Sequence, residues 1–124
     1  EHLATFTLTE DGNLLTIQQG ATFTLSVNYK SSAGSTIDLS SGYTARMQGR
    51  TSHAASSTVF ALTNSSGITL GSSDPNIVIS IAASATDDFS APSSGVYDLE
   101  IVDSSSNVFR ILEGRYEITP EVTR

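Results

Sequence analysis

Between Gly95 and Asp103 the chain alternates residue by residue: Tyr97, Leu99 and Ile101 are apolar, and Asp98 and Glu100 stand between them. Successive side chains of a strand point to opposite faces, so this run reads as a strand with one buried and one wet face. Ser104-Ser105-Ser106-Asn107 is turn chemistry and joins it to an antiparallel partner over Val108 to Thr119. In that second strand Arg115, Glu117 and Thr119 oppose Tyr116 and Ile118. The chain therefore closes on a tight meander rather than on an active-site loop.

The same period recurs upstream. Phe6 and Leu8 alternate with Thr5, Thr7 and Thr9 before a turn at Glu10-Asp11-Gly12-Asn13, and Leu14 to Gln18 is a short strand closed by Gly20. From Thr22 to Tyr29 the apolar face is Phe23, Leu25, Val27 and Tyr29. Ser31 to Ser35 forms a hairpin loop, and Ile37 and Leu39 lead into a strand from Tyr43 to Arg50. There Tyr43, Ala45 and Met47 oppose Thr44, Arg46, Gln48 and Arg50. After a polar loop carrying His53 come strands at Thr58 to Thr63, Ile68 to Leu70 and Ile77 to Ala83. Ser84 to Phe89 is the one helix-like piece, with Ser84 as cap and Asp87 three residues on; Pro92 and Gly95 hold it to about one turn. Short strands spaced by Gly, Ser, Asn and Asp turns predict an all-β, immunoglobulin-like antiparallel β-sandwich of about eight to ten strands.

Composition sets the outer limits. At 124 residues the expectation is one domain spanning 1–124, with Glu1-His2-Leu3 a remnant extraneous to the fold and 120–124 an extended tail behind Pro120. Without cysteine there is no disulfide, thiolate metal site or cysteine nucleophile. Serine and threonine, 21 and 15 residues, suit loops and exposed strand faces. No long apolar run and no charged-then-apolar start is present, so neither a membrane span nor a signal peptide is expected. A net charge of −7 with only 6 basic residues argues against nucleic acid and anionic membranes as partners.

Catalytic and metal chemistry find little footing. His53 lies in a polar loop with no nucleophile elbow nearby, and His2 near the start of the chain. Asp87-Asp88 and the Asp98, Glu100, Asp103 group do not match a calcium loop. Asp98 and Glu100 stand roughly 6.5–7 Å apart along one strand face, a tolerable spacing for paired acids. However, the chain has no Trp, and its tyrosines fall on apolar phases, as core residues rather than a sugar platform. No enzyme activity, cofactor or metal is expected. Arg46, Gln48 and Arg50 share one polar strand face, and Arg110 and Arg115 lie near the last hairpin. Their expected partners are Asp98, Glu100, Glu113 and Glu117 across strands, or else a neighbouring subunit.

Two segments carry a resemblance. Ile37-Asp38-Leu39-Ser40-Ser41-Gly42-Tyr43-Thr44-Ala45-Arg46-Met47-Gln48-Gly49-Arg50 resembles an I-D-L-T-G-Y-T-A-R-M-Q-x-R segment of small tailed-bacteriophage proteins. Gly95-Val96-Tyr97-Asp98-Leu99-Glu100, Leu112-Glu113-Gly114-Arg115 and Pro120-Glu121-Val122-Thr123-Arg124 resemble the Y-D-L-E … L-L-E-G … P-E-V-T-R ending of the same proteins. The layout is also similar to the immunoglobulin-like amino-terminal domain of phage upper-baseplate proteins, with one departure, the additional serine at Ser40-Ser41. The resemblance brings no catalytic residue with it. It implies a virion structural protein of the tail, baseplate or fibre-attachment region, assembled in the host bacterial cytoplasm. Its partners would be other virion proteins, met in symmetric multiple copies. Subunit docking would fall to Arg46, Gln48, Arg50, Arg110, Arg115, Glu121 and Arg124. A capsid decoration protein is the alternative within that class, and a receptor- or glycan-binding module the alternative outside it.

Overall fold

A computed structural model describes residues 14–123. The strand expected around Phe6 and Leu8, the turn at residues 10–13, His2 and Arg124 lie outside the described residues. Eight strands and one helical turn follow in order: β1 Leu15–Gln18, β2 Phe23–Val27, β3 Thr44–Arg50, β4 Phe60–Thr63, β5 Ile68–Leu70, β6 Ile77–Ile81, α1 Ala83–Thr86, β7 Ser93–Val102 and β8 Val108–Thr119. They form a five-stranded sheet, β1-β8-β7-β3-β4, and a three-stranded sheet, β2-β6-β5. This is the all-β sandwich that the alternation requires. The order β8-β7-β3 in one sheet and β2-β6-β5 in the other is the G-F-C and B-E-D arrangement of immunoglobulin-like sandwiches, with β4 as the added strand beside C.

One pairing departs from the antiparallel expectation: β1 runs parallel to β8, with Leu15 opposite Tyr116 and Gln18 opposite Thr119. Alternation fixes which face a side chain takes but carries no information on strand direction. The ladder continues through the Gln19 amide to the Thr119 carbonyl at 3.0 Å, and the chain then leaves at Gly20 (φ 83°) to enter β2 in the other sheet.

The inner faces meet in one apolar cluster. Ile17 from β1, Met47 from β3, Ile77 and Ile79 from β6, and Leu99 and Ile101 from β7 are all sealed from solvent. Burying a side chain of this size stabilises the fold by roughly 1.5–3 kcal/mol, so the cluster supplies what a disulfide gives other small sandwiches. Tyr29, Tyr97 and Tyr116 are buried and Tyr43 packs against the cluster half-exposed, as their apolar phases imply. Burial pushes the Tyr97 hydroxyl up to about 12, and burial together with the neighbouring Tyr43 does the same for Tyr29. The Tyr116 ring meets Phe60 edge-on at 5.4 Å. Gly95 is required where β7 passes that ring, because a Cβ there would collide with the Arg50 carbonyl oxygen and stand 2.6 Å from the Tyr116 hydroxyl.

Two buried polar side chains tie loops to the sandwich, and sequence reading placed both in local structure only. Asn76, fully buried, accepts from the Tyr29 amide at 2.8 Å and donates to the Tyr29 and Ile37 carbonyls, each at 2.8 Å. It thus substitutes a side-chain amide for strand pairing where β2 ends. Thr86, equally buried, accepts from the Gly20 amide at 3.1 Å and donates to the Ala21 carbonyl at 2.8 Å. That tie sets the position of α1, which therefore starts earlier than expected: Ala82, not Ser84, is the cap, and no side chain closes it.

Replacing Asn76 by Ala removes the partner that the Tyr29 amide and the Ile37 carbonyl find in that side chain, while the Tyr29 carbonyl keeps the Ile37 amide at 3.3 Å. We expect Asn76→Ala to lower the unfolding free energy by about 3 kcal/mol in urea titrations. An unchanged midpoint would show that the β2 end is held by something else.

Candidate docking face

The outward side chains of β3, β7 and β8 fall into rows because their registers are fixed from within. Arg46 lies opposite Glu100, and Glu100 opposite Arg110; Gln48 lies opposite Asp98, and Asp98 opposite Glu113; Arg50 lies opposite Val96, and Val96 opposite Arg115. The sheet thereby presents the rows Arg–Glu–Arg, Gln–Asp–Glu and Arg–Val–Arg. Five of the expected docking residues, Arg46, Gln48, Arg50, Arg110 and Arg115, share this one face.

Arg110 and Glu113 reach the same face only through an irregularity. Three residues apart in a regular strand, they would point to opposite sides. The register shifts between Leu99 and Glu100: Leu99 faces Leu112 while Glu100 faces Arg110, leaving Ile111 extra on β8. This is a β-bulge, which inserts one residue and re-aims the side chains beyond it. The adjacent apolar pair Ile111-Leu112, out of phase with strict alternation, is the sequence signal that marks it.

Ion pairs occupy two of the three rows. Arg46 Nε meets Glu100 Oε1 at 2.7 Å, and Arg110 Nε lies 3.5 Å from Asp98 and 3.7 Å from Glu100. Arg110 Nη1 also reaches Glu113 at 3.4 Å. Glu117, expected to join this set, instead accepts a long hydrogen bond from the Thr16 hydroxyl on β1. Partial burial raises the Asp98 carboxyl above the ordinary carboxylate range, Glu100 adds to the rise, and Arg110 opposes it. Arg50 takes no carboxylate among the described residues; its guanidinium donates to the Ala55 carbonyl at 2.9 Å and to Gln48 Oε1 at 3.1 Å. Arg115 likewise has no carboxylate partner among them.

Above the second and third rows lies an open groove of about 590 Å3 whose lining includes Arg50, His53, Val96, Asp98, Arg110 and Arg115. In the sequence His53 is marked only as a loop residue, and the one signal for Val96 is its outward phase between Gly95 and Tyr97. Counted over the outer face, four arginines stand against Asp98, Glu100, Glu113 and Glu117. The face is electrically neutral, and the whole formal charge of −7 resides elsewhere in the chain.

Glu121 does not belong to this face. Its amide donates to Gln19 Oε1 at 3.1 Å and its carboxylate lies against Gly20, so it fastens the segment after β8 to the β1–β2 corner. Among the described residues no group of three or more His, Cys, Asp and Glu side chains is disposed to hold a metal ion. No helix among them is long and apolar enough to cross a membrane. No protein-family model matches the chain, and no curated protein matches it.

The sign of the Asp98 shift gives a measurable consequence. A carboxyl raised above its unfolded value favours the folded state while protonated and costs stability once pH rises through the folded value. Asp98→Asn is therefore expected to raise the thermal midpoint at pH 7, with the gain vanishing as pH falls below the ordinary value of 3.8. Glu100→Gln, which removes the Arg46 pair, is expected to cost about 0.5–1 kcal/mol at pH 7. Equal effects of the two variants would contradict the assignment.

Proposed function

We propose that this chain is a non-enzymatic structural component of a bacteriophage virion, in the tail, baseplate or fibre-attachment region. It works by repeated protein–protein docking. The observation that carries the reading is a convergence: the segments at 37–50 and 95–124 that resemble tailed-phage proteins contain β3, all of β7 after its first two residues, and β8, the three adjacent strands that present the arginine-bearing face. In this reading the chain assembles in the host bacterial cytoplasm against other virion proteins. Symmetric copies turn individually weak polar contacts into a durable attachment, because each contact after the first is made at high effective concentration. A capsid decoration protein would use the same face against coat subunits, but no feature of the face favours that lattice.

Cryo-electron microscopy of particles of the phage encoding the chain tests this directly. The expected result is density for the sandwich below the neck, in multiple copies, with the β3–β7–β8 face against a neighbour. Arg46→Glu combined with Arg110→Glu should leave circular dichroism unchanged and abolish incorporation. Density on the head lattice would move the chain to the decoration class, and absence of the chain from purified particles would overturn the proposal.

A further inference from the structure

The third row differs from the other two. In Arg50–Val96–Arg115 two guanidiniums flank an apolar side chain, and neither has a carboxylate partner among the described residues. Adjacent strands lie about 4.8 Å apart, which puts the two arginine backbones roughly 9.6 Å apart across β7. Both arginines line the same groove. Arg50 is oriented in advance by the Ala55 carbonyl and Gln48 Oε1, and His53 stands on the rim of the same groove. The guanidinium fork matches carboxylate geometry with two parallel hydrogen bonds.

We propose that this row seats the carboxylate side chain of an acidic, extended segment of a partner protein, held between Arg50 and Arg115 above Val96. The inference rests on the docking reading and names the chemistry of its partner. Charge complementarity selects the occupant: the row carries two cations and no acid, the largest cationic excess of the three rows, on a chain of net charge −7. A glutamate stem lies on Val96 while its carboxylate meets both guanidiniums, so apolar and charged contacts are made together. A nucleic-acid backbone fits less well, because the −7 chain opposes a long polyanion and two arginines neutralise few phosphates. An acidic glycan fits less well too: sugar recognition favours an exposed ring, and Tyr97, the aromatic lining the groove, is only 4% exposed.

The test is a nuclear magnetic resonance titration of the 15N-labelled full chain with a capped hexaglutamate peptide at physiological salt, and with hexalysine as control. Saturable shifts are expected in the amides of residues 48–53, Val96 and residues 114–115, with none from hexalysine. Arg115→Gln, which removes no contact seen within the fold, should weaken binding about tenfold, and Arg115→Lys should recover part of the loss. No saturable shift, or shifts that Arg115→Gln leaves unchanged, would overturn the proposal. So would polygalacturonate occupying the same amides more tightly than the peptide. Loss of the peptide site in a chain that still enters virions sinks this inference alone. Peptide binding by a chain absent from virions sinks the docking reading and supports the acid seat.

Discussion

Everything on the outer surface of the large sheet depends on the packing of Met47, Leu99 and Ile101 against the three-stranded sheet. No cysteine staples the layers, so the phase of β3 and β7 is held by apolar burial alone. A slip of one residue in either strand would carry its whole inner set to solvent, a loss of several kilocalories per mole at roughly 1.5–3 kcal/mol for each large side chain. The outward residues inherit that certainty without contributing to it. Arg46, Gln48 and Arg50 face outward in register because Ala45, Met47 and Gly49 cannot.

The ion pairs on this face stand in the opposite relation to the fold. Arg46 and Arg110 are half-exposed, and pairs of that kind contribute about 0–1 kcal/mol. Asp98 is placed against its own ionisation by partial burial and by Glu100. A sandwich held by its core gains little from four arginines and four acids on one outer face. Their arrangement instead sets what that face presents: neutrality across the whole, a matched Arg–Glu–Arg row, and an unmatched Arg–Val–Arg row a few residues away.

Much of this was legible in the chain because burial and sequence period are two views of one constraint. Tyr97 to Ile101 and Phe23 to Tyr29 announce their faces directly, and the outward arginines of β3 follow from the same phase. Three features lie beyond what alternation by itself conveys, each for a physical reason. The parallel pairing of β1 with β8 leaves no trace in alternation, which is blind to direction. The bulge at Ile111 reverses phase within a strand, so Arg110 and Glu113 seem to belong to opposite sides until the register is known. Asn76 and Thr86 are short polar residues in turn-like surroundings, and nothing local reveals that their partners lie 39 to 47 and 65 to 66 residues away. The tie between Glu121 and Gln19 is hidden in the same way, since the two lie 102 residues apart.

The distribution of charge connects the core to the proposed assembly. A chain of net charge −7 repels its own copies at long range, which favours solubility before assembly. That repulsion fades beyond about 8 Å at physiological salt, so contacts at the surface are decided by local chemistry. The β3–β7–β8 face is neutral as a whole, and its most cationic row, Arg50–Val96–Arg115, carries no acid. A partner carrying a short acidic segment would therefore find on this face the cations that the net charge of −7 lacks over the chain as a whole. Selectivity would then come as much from the charges that exclude wrong faces as from the two arginines that receive the right one. The core that locks the strand phases is in this sense also what would set the orientation of the proposed docking.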